Sequence, residues 1–468
     1  MSDTDDDLIE NLTYDEIQPG QRAQLMRTLT RDDISAFALI SGDVNPAHVD
    51  AEYAEGTRFH GVIAHGMFAG ALISSVLGTE FPGPGTIYLE QSLHFHAPVR
   101  VGDTLTVSVQ VLAKDDARHN LTLDCQVVNQ RGEAVVTGQA LVRAPLHKVA
   151  RPRAALPTMH LFDPEQRLAD WMLTLRARPA VRCAVVHPCD AASLQGALEA
   201  AEHGLIEPVL VGPAARVRAL AAEAGLALDG VALVDTPHSH ASAATAADMA
   251  LRGEVAMLMK GSLSTEELMQ AVIARPGLHT GRRMSHVYRF EVPAYPKPLL
   301  VTDAAINIAP TLLQKADIVR NAIDLAQALG IADPKVALLA AVETVTPRLA
   351  STLDAAALCK MADRGQITGA VLDGPLAFDN AISADAAAMK EIRSPVAGQA
   401  DILVVPDLES GTMLAKQLDH LAGASGCGVV LGARVPIALT SRADPPISRR
   451  ASVALAGLLA RPVAPSRH

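Results

Sequence analysis

Several residue types and patterns that mark other protein classes are scarce in this chain of 468 residues. Aromatic residues make up only 3%, so we expect a core of Ala, Leu and Val side chains. Acidic residues outnumber basic ones, 51 to 40, and a net charge of −11 argues against nucleic acid as a partner. No uncharged apolar run reaches the roughly 18 residues that span a bilayer, so we expect no membrane partner either.

Cysteine is also sparse, and its spacing excludes two further classes of protein. The five cysteines are widely separated, and no two of them form a Cys-x-x-Cys pair. This pattern predicts neither a disulfide framework nor a zinc site. The N-terminus is acidic and has no apolar core, unlike a secretory signal peptide. We therefore expect a reduced, cytoplasmic protein with no metal.

The hydrophobic pattern changes near residue 150, and the length alone suggests about two to four domains. Before that point, helices are predicted over 31–40 and 66–77. Alternating apolar and polar residues then predict four strands, over 86–97, 104–114, 120–129 and 134–142. A helix followed by an antiparallel meander is typical of an α+β fold, here a sheet wrapped around one apolar helix.

Three prolines between residues 144 and 157 mark a linker, because proline lacks the backbone donor that regular structure needs. Beyond the linker, short apolar runs alternate with Ala-rich amphipathic helices, which is typical of parallel α/β layers. The runs lie at 183–186, 208–211, 255–259, 299–301, 335–341, 402–405 and 428–431.

One chemical motif lies at residues 43–48, which read Asp-Val-Asn-Pro-Ala-His. It places a carboxylate and an imidazole five residues apart across a proline turn, an arrangement that can hold one water between a base and an acid. Ala-His-Gly-Met at 64–67 then opens the apolar helix. Without this second block, Asp43 and Asn45 could simply shape a turn, and His48 could be a surface residue.

These two blocks, in this order, resemble the (R)-specific enoyl-CoA hydratases of the MaoC-like, hot-dog-fold family over about residues 12–145. The resemblance implies that Asp43 and His48 grip the water that adds to a trans-2-enoyl thioester. It also implies that Asn45 orients the turn and that the backbone N–H of Gly66 polarises the thioester carbonyl. A helix start supports that last role, since its unpaired N–H groups favour developing negative charge.

A second motif lies near the other end, where residues 439–444 read Leu-Thr-Ser-Arg-Ala-Asp. A hydroxyl beside a guanidinium suits an anion such as phosphate. Together with earlier blocks it resembles the phosphate acetyl/butyryl transferase family over about 160–465. Those blocks lie at 258–261, 282–287, 302–307, 372–377, 394–401 and 406–407.

This second resemblance implies reversible transfer of an acyl group between CoA and phosphate. Arg442 would hold the phosphate, and Ser441 would donate to the oxyanion or the phosphate. Acetyl-specific members carry an acidic residue seven positions after the serine as the thiol base, and this chain has Ser448 there. Asp444 is the nearest carboxylate and is predicted to take that role.

Five more residues are predicted to bind substrate, each with a structural alternative. Lys260 ends an apolar run and would face the cleft, or be a solvated strand-end lysine. Arg282 and Arg283 would grip phosphate or the CoA diphosphate, or form a solvated turn. Asp303 and Asn307 would bind the acyl phosphate, or complete the turn at a strand end.

The sequence thus predicts an α+β hot-dog domain at 1–150, a linker at 151–159 and a two-lobed α/β phosphotransacetylase-like domain at 160–468. The lobes are predicted at about 160–299 with 427–468, and 300–426. The expected function is bifunctional, enoyl-CoA hydration plus acyl transfer, with acyl-CoA and phosphate as substrates and no bound cofactor. The alternative is one phosphate acyltransferase whose hot-dog domain is an inactive acyl-CoA-binding or dimerisation module. Because a curled sheet leaves an edge exposed, a homo-oligomer, at least a dimer, is expected.

Overall fold

The computed structural model describes residues 8–154, 163–175, 178–440 and 444–460. The chain divides into two compact units after residue 161. Residues 155–159 of the predicted linker lie outside the described residues. Its beginning is not a free linker, because Arg151 and Pro152 belong to a short strand that pairs with Leu8–Glu10.

The first unit contains one long helix and a curved antiparallel sheet. Its helices are α1 (Arg31–Ser41), α2 (Pro46–Val49), α3 (Ala51–Glu55) and α4 (Gly66–Ser75), and a π turn extends α4 to Glu80. Its strands are β1 (Leu8–Glu10), β2 (Arg22–Thr28), β3 (Ile87–Gln91), β4 (His94–Phe95), β5 (Thr104–Asp115), β6 (Asn120–Val128), β7 (Ala134–Arg143) and β8 (Ala150–Pro152).

The sheet of this unit has the order β2-β5-β6-β7-β3, and β4 pairs with β7. Alternate residues of β5 are buried, because successive side chains of a strand point to opposite faces. Those buried side chains pack with Ala69 and Ile73 of α4 in one core. The structure therefore confirms a sheet wrapped around one apolar helix, the hot-dog arrangement.

The second unit alternates strands and helices along the chain. Its strands are β9 (Val181–Val186), β10 (Ile206–Gly212), β11 (Ala232–Asp235), β12 (Met257–Lys260), β13 (Ser285–Glu291), β14 (Leu299–Thr302), β15 (Lys335–Leu339), β16 (Val371–Leu376), β17 (Ile402–Val404), β18 (Ser425–Leu431) and β19 (Ile437–Ala438).

Helices cover both faces of this second sheet. They are α5 (Pro164–Leu173), α6 (Ala191–Glu202), α7 (Ala214–Glu223), α8 (Ser239–Leu251), α9 (Thr265–Ile273), α10 (Leu312–Ala328), α11 (Ala350–Asp363), α12 (Phe378–Ile382), α13 (Ala384–Met389), α14 (Leu408–His420) and α15 (Pro446–Leu459). Burial on both faces explains why strands such as β14 read as unbroken apolar runs. No helix in the described parts of the chain is long and apolar enough to cross a bilayer.

All eleven strands of the second unit form one sheet, in the order β11-β10-β9-β12-β19-β18-β13-β14-β17-β15-β16. The α/β class is confirmed, but the sheet is mixed rather than wholly parallel. Strand β18 is antiparallel to β19, and β13 is antiparallel to both β18 and β14. The sequence pattern cannot show this reversal, because a buried strand reads as the same apolar run in either direction.

Candidate active sites

The turn that carries Asp43 begins where helix α1 ends. Gly42 closes the helix with a left-handed backbone (φ of 74°), which glycine adopts without steric cost. The Asp43 carboxylate accepts from the backbone N–H of Asn45 at 3.2 Å, and the Asn45 side chain caps the next helix by accepting from Ala47 N–H at 3.1 Å. Asn45 therefore shapes the turn, as the resemblance implies.

His48 is held beside Asp43 by a contact with the segment before α4. Its Nδ1 lies 2.9 Å from the carbonyl oxygen of Ile63. Because a carbonyl can only accept, Nδ1 is the donor in this bond, which leaves Nε2 as the ring nitrogen that can meet a water. One ligand atom from each of Asp43, His48 and His65 lies within 4.8 Å of the others. The structure therefore brings the predicted pair together.

His65 is the third member of this cluster and was not among the predicted site residues. It is only 4% exposed, its Nε2 lies 2.9 Å from the backbone carbonyl of Asp43, and its ring lies 4.0 Å from that of His48. The sequence signal was the imidazole next to Gly66 in the second block. Its contact with Asp43 spans 22 positions, so spacing alone could not reveal it.

Two imidazoles and a carboxylate are residue types that also bind metal ions, so the geometry of this cluster decides whether a metal would fit. The two rings face each other with an interplanar angle of only 33°. Imidazole lone pairs lie in the plane of the ring, so those of two rings that face each other, even at this tilt, do not point toward one ion between them. The geometry suits a water held against one imidazole and a carboxylate better than a coordinated metal.

Beside the cluster opens a cavity of about 280 Å³ with mostly apolar walls. Gly66, the first residue of α4, lines it on an exposed helix start. A Cβ at Gly66 would lie 3.3 Å from the ring of Phe95, so glycine keeps this entrance open. The other walls include Ile63, Phe68, Ala69, Val99, Val135 and Val136. An acyl chain could pack here with its thioester carbonyl near the start of α4.

In the second unit, the ends of β12 and β19 meet. The ammonium of Lys260 lies 3.4 Å from the backbone carbonyl of Thr440, and the Thr440 hydroxyl donates to the Lys260 carbonyl. Ser441 and Arg442 follow directly but lie outside the described residues. A Cβ on Gly261 would lie 2.4 Å from the carbonyl oxygen of Val186, so only glycine fits there. Lys260 therefore stands beside the segment that leads to the predicted phosphate site.

Arg282 and Arg283 line a second cavity, of about 910 Å³, that α9 also lines. Arg282 pairs with Asp324 at 2.5 Å, and the Nε of Arg283 donates to the Asn307 side chain at 2.7 Å. The cavity is roomy enough for a nucleotide-sized ligand. Both arginines that were predicted to bind phosphate therefore already contact protein side chains.

Asp303 and Asn307 complete a buried turn at the end of β14. The Asp303 carboxylate accepts from the backbone N–H groups of Ala305, Ile306 and Asn307, and from the Asn307 amide. Burial raises the pKa of this carboxyl, and these hydrogen bonds oppose the shift. These contacts favour the structural alternative for both residues over contact with an acyl phosphate.

Asp444 is half-buried at the start of the final helix. Its backbone carbonyl accepts from Arg449 at 2.7 Å. Burial, and then the charge of Asp444, raise the pKa of Tyr288 to about 12, so the carboxylate lies near β13. Ser448, which occupies the position of the acidic residue in acetyl-specific members, is buried at 5% exposure. Asp444 is therefore less buried than Ser448.

His286 follows Arg283 by only three positions in the sequence, but it is not a surface cation. It is fully buried on β13, and burial lowers its pKa to about 3. Neither ring nitrogen has a hydrogen-bond partner in the described part of the chain. Its ring meets Tyr288 edge-on at 4.3 Å. The imidazole is therefore neutral at pH 7.

His187 is a strand-end residue that the sequence analysis did not single out. It follows β9 in a left-handed conformation (φ of 55°), and burial first, then the charge of Arg216, lower its pKa. Its Nδ1 lies 3.1 Å from the Ser242 hydroxyl, and its carbonyl accepts from Ser262 N–H. A histidine before a proline at the end of an apolar run was the available signal. It lies beside Gly261 at the carboxyl edge of the sheet, where α/β proteins bind ligands.

Comparison with known proteins gives matches for each unit. A family model described as "Phosphate acetyl/butaryl transferase" matches residues 240–456, and one described as "MaoC like domain" matches residues 14–130. The phosphate acetyltransferase of Rhizobium meliloti is 60% identical over 283 residues, which cover 60% of this chain and 89% of the relative. The chain belongs to the phosphate acetyl/butyryl transferase family. It is an acyltransferase joined to an N-terminal MaoC-like domain.

Solved structures also match. A branched-chain phosphotransacylase from Enterococcus faecalis V583 is 30% identical and covers 60% of this chain and 100% of that chain, with a TM-score of 0.53. The R-hydratase PhaJ1 from Pseudomonas aeruginosa is 42% identical and covers 33% of this chain and 99% of that chain, with a TM-score of 0.32. The first of these places the eleven-stranded unit among the phosphotransacylase folds.

Proposed function

We propose that this protein is a bifunctional acyl-CoA enzyme. Its first unit hydrates trans-2-enoyl-CoA to (R)-3-hydroxyacyl-CoA, and its second transfers an acetyl or short acyl group between CoA and phosphate. The observation that carries the hydratase assignment is the cluster of Asp43, His48 and His65 beside an apolar cavity. His48 and His65 line this cavity, and Asp43 stands next to both imidazoles, which a residue set that merely shaped a turn would not require.

In the proposed hydration, Asp43 and His48 hold one water. His48 Nε2 and the Asp43 carboxylate orient it and take a proton as its oxygen bonds to C3 of the enoyl group. The same pair returns a proton to C2, so water adds across the double bond with no net change in the protein. Charge that builds on the thioester oxygen is stabilised by the N–H of Gly66 at the helix start.

In the proposed transfer, the CoA thiolate attacks the carbonyl carbon of an acyl phosphate. A carbon–sulfur bond forms, the carbon–oxygen bond to phosphate breaks, and the thiol proton passes to a base. Asp444 is the proposed base, while Ser441 and Arg442 are proposed to hold the oxyanion and the phosphate. Lys260, whose ammonium contacts the carbonyl of Thr440, is proposed to add positive charge for the phosphate.

One experiment on the full chain tests both halves. Phosphate-dependent CoA release is measured with a panel of acyl-CoAs from acetyl to hexanoyl, and loss of the conjugated enoyl thioester is measured with crotonyl-CoA. We expect one preferred acyl length in the first assay and (R)-3-hydroxybutyryl-CoA in the second. CoA release that does not depend on phosphate with any substrate would contradict the proposed transfer.

Replacing Asp444 with asparagine should lower the rate of CoA-dependent cleavage of acetyl phosphate by about 10²-fold, because general acid–base groups typically contribute that much. Asp419→Asn is the matched control, since Asp419 is a second carboxylate whose charge acts on Tyr288. Steady-state rates at saturating acetyl phosphate would be compared. Full activity in the Asp444 variant would remove this residue as the base.

The alternative, an inactive docking module, has one observation in its favour. Strand β3 is an edge strand, and Ile87, Tyr88 and Leu89 on it are 52%, 38% and 40% exposed. An exposed apolar edge of this kind is suited to pairing with a second copy. We propose that the chain is at least a dimer in either case. Crotonyl-CoA bound without turnover would favour the docking module over the hydratase.

A further inference from the structure

Hydrogen bonds from two histidines connect the two segments that form the proposed hydratase site. His48, on the 43–48 turn, donates from Nδ1 to the carbonyl of Ile63 in the segment before α4. His65, in that segment, donates from Nε2 to the carbonyl of Asp43 in the turn. Ile63 N–H completes the connection by donating to Ala47 at 3.3 Å. In the two histidine bonds, each segment therefore supplies one imidazole donor and one carbonyl acceptor to the other, and the backbone bond from Ile63 to Ala47 is a third connection.

Within the described residues, the bond to Asp43 is the one hydrogen bond that orients the His65 ring. Its second nitrogen, Nδ1, is buried and has no hydrogen-bond partner in the described residues. Leaving a buried acceptor unpaired costs about 1–3 kcal/mol. An apolar ring in the same place would avoid that cost, so stability alone gives little reason for histidine here.

We infer that His65 is a positioning residue whose Nε2–H fixes the Asp43 turn relative to His48 and Gly66. This inference rests on the proposed hydratase function and deepens it. The bond holds the backbone of Asp43 itself, so it sets where the carboxylate stands. The centroid of its ring lies 4.0 Å from that of His48, so the His65 ring also limits how the His48 imidazole can rotate. The water would then be gripped in one geometry rather than several.

Two substitutions separate the donor from the ring. His65→Phe keeps a flat ring against His48 and removes the N–H, whereas His65→Gln keeps an N–H donor of similar reach and removes the ring. The matched control is His147→Phe, since His147 is an exposed histidine of the same unit. Phosphate-dependent CoA release by the second unit provides an internal standard for folding and concentration in every variant.

We expect His65→Phe to lower kcat for crotonyl-CoA hydration by about 10- to 100-fold, because small displacements of reacting groups cost about that much. KM should change less than twofold, since phenylalanine keeps a flat ring of similar size at the one position of the cavity wall that His65 occupies, and the thermal midpoint should stay level or rise. His65→Gln should recover most of the lost rate. Wild-type hydration in His65→Phe, or equal loss in both variants, would overturn the role of the N–H.

A second readout does not depend on turnover. Hydrogen–deuterium exchange of peptides covering 43–50 should be faster in His65→Phe than in His65→Gln or His147→Phe, because the lost bond loosens the turn. If the wild-type chain fails to hydrate crotonyl-CoA, the hydratase proposal fails, and this exchange still tests the bond. Unchanged exchange in His65→Phe would show that His65 does not hold the turn.

Discussion

Replacing Asp43 with asparagine should abolish hydration of crotonyl-CoA by the full chain, while phosphate-dependent CoA release continues at the wild-type rate. Asparagine keeps an oxygen that can accept from Asn45 N–H, so the turn should persist. It cannot take a proton from water, and a positioned acid–base group contributes about 10²- to 10⁴-fold. The loss should therefore appear in kcat, with KM little changed.

Asp50→Asn is the matched control for this substitution. Asp50 is the next carboxylate along the chain and also accepts from a backbone N–H, that of Tyr53, at the start of α3. Both variants should melt within a few degrees of the wild-type chain. Equal hydration by the Asp43 and Asp50 variants would remove Asp43 from the chemistry.

The buried His286 should make the second unit sensitive to acid. Its pKa is about 3 in the folded chain, compared with 6.5 for an unperturbed histidine. Between these values the unfolded chain binds a proton that the folded chain does not, so stability falls as the pH falls below 6.5. The loss is about 1.4 kcal/mol per pH unit, or about 2 kcal/mol by pH 5.

His286→Leu should remove this dependence, and the single tryptophan makes the measurement specific. Trp171 lies on α5 of the second unit, with its ring 4.6 Å from the guanidinium carbon of Arg289. Denaturant unfolding followed by its fluorescence at pH 7.5 and pH 5 gives the free energy of unfolding of that unit. The free energy of unfolding of the variant minus that of the wild-type chain should increase by about 2 kcal/mol from pH 7.5 to pH 5.

The surface histidine His420, 67% exposed, provides the control as His420→Leu. It should lose stability in acid in parallel with the wild-type chain. An advantage of His286→Leu that stays constant with pH would mean that packing, and not the proton, decides its effect. Transferase rates at pH 7.5 would show whether the variant has kept its active fold.

Local pattern predicted much of the secondary structure. The first helix was predicted at 31–40 and observed at Arg31–Ser41, because a threonine cap and a glycine stop mark its two ends. Strand β5 was predicted at 104–114 and observed at Thr104–Asp115. Strand β2, Arg22–Thr28, was not predicted, since it lies at the sheet edge and its alternation of polar and apolar residues stops after Leu25, where an exposed methionine follows.

The proximity of Asp43 and His48 was predictable, because one short segment carries both residues. Contacts between residues from distant segments were not predictable. His65 reaches Asp43 across the fold, and the hydrogen bonds of Asp303 turn inward in a way that residue type does not reveal. His286 shows the same limit, because a histidine beside two arginines reads as a cation until its burial is known.

The reversed strand β13 has a mechanical consequence for the transferase unit. Seven residue pairs join it to β18 and four join it to β14, so one continuous ladder crosses the middle of the sheet. A hinge at that point would have to break these bonds together. The parts of the sheet on either side of β13 would therefore change their relative angle by twisting of the common sheet rather than by separation of these strands.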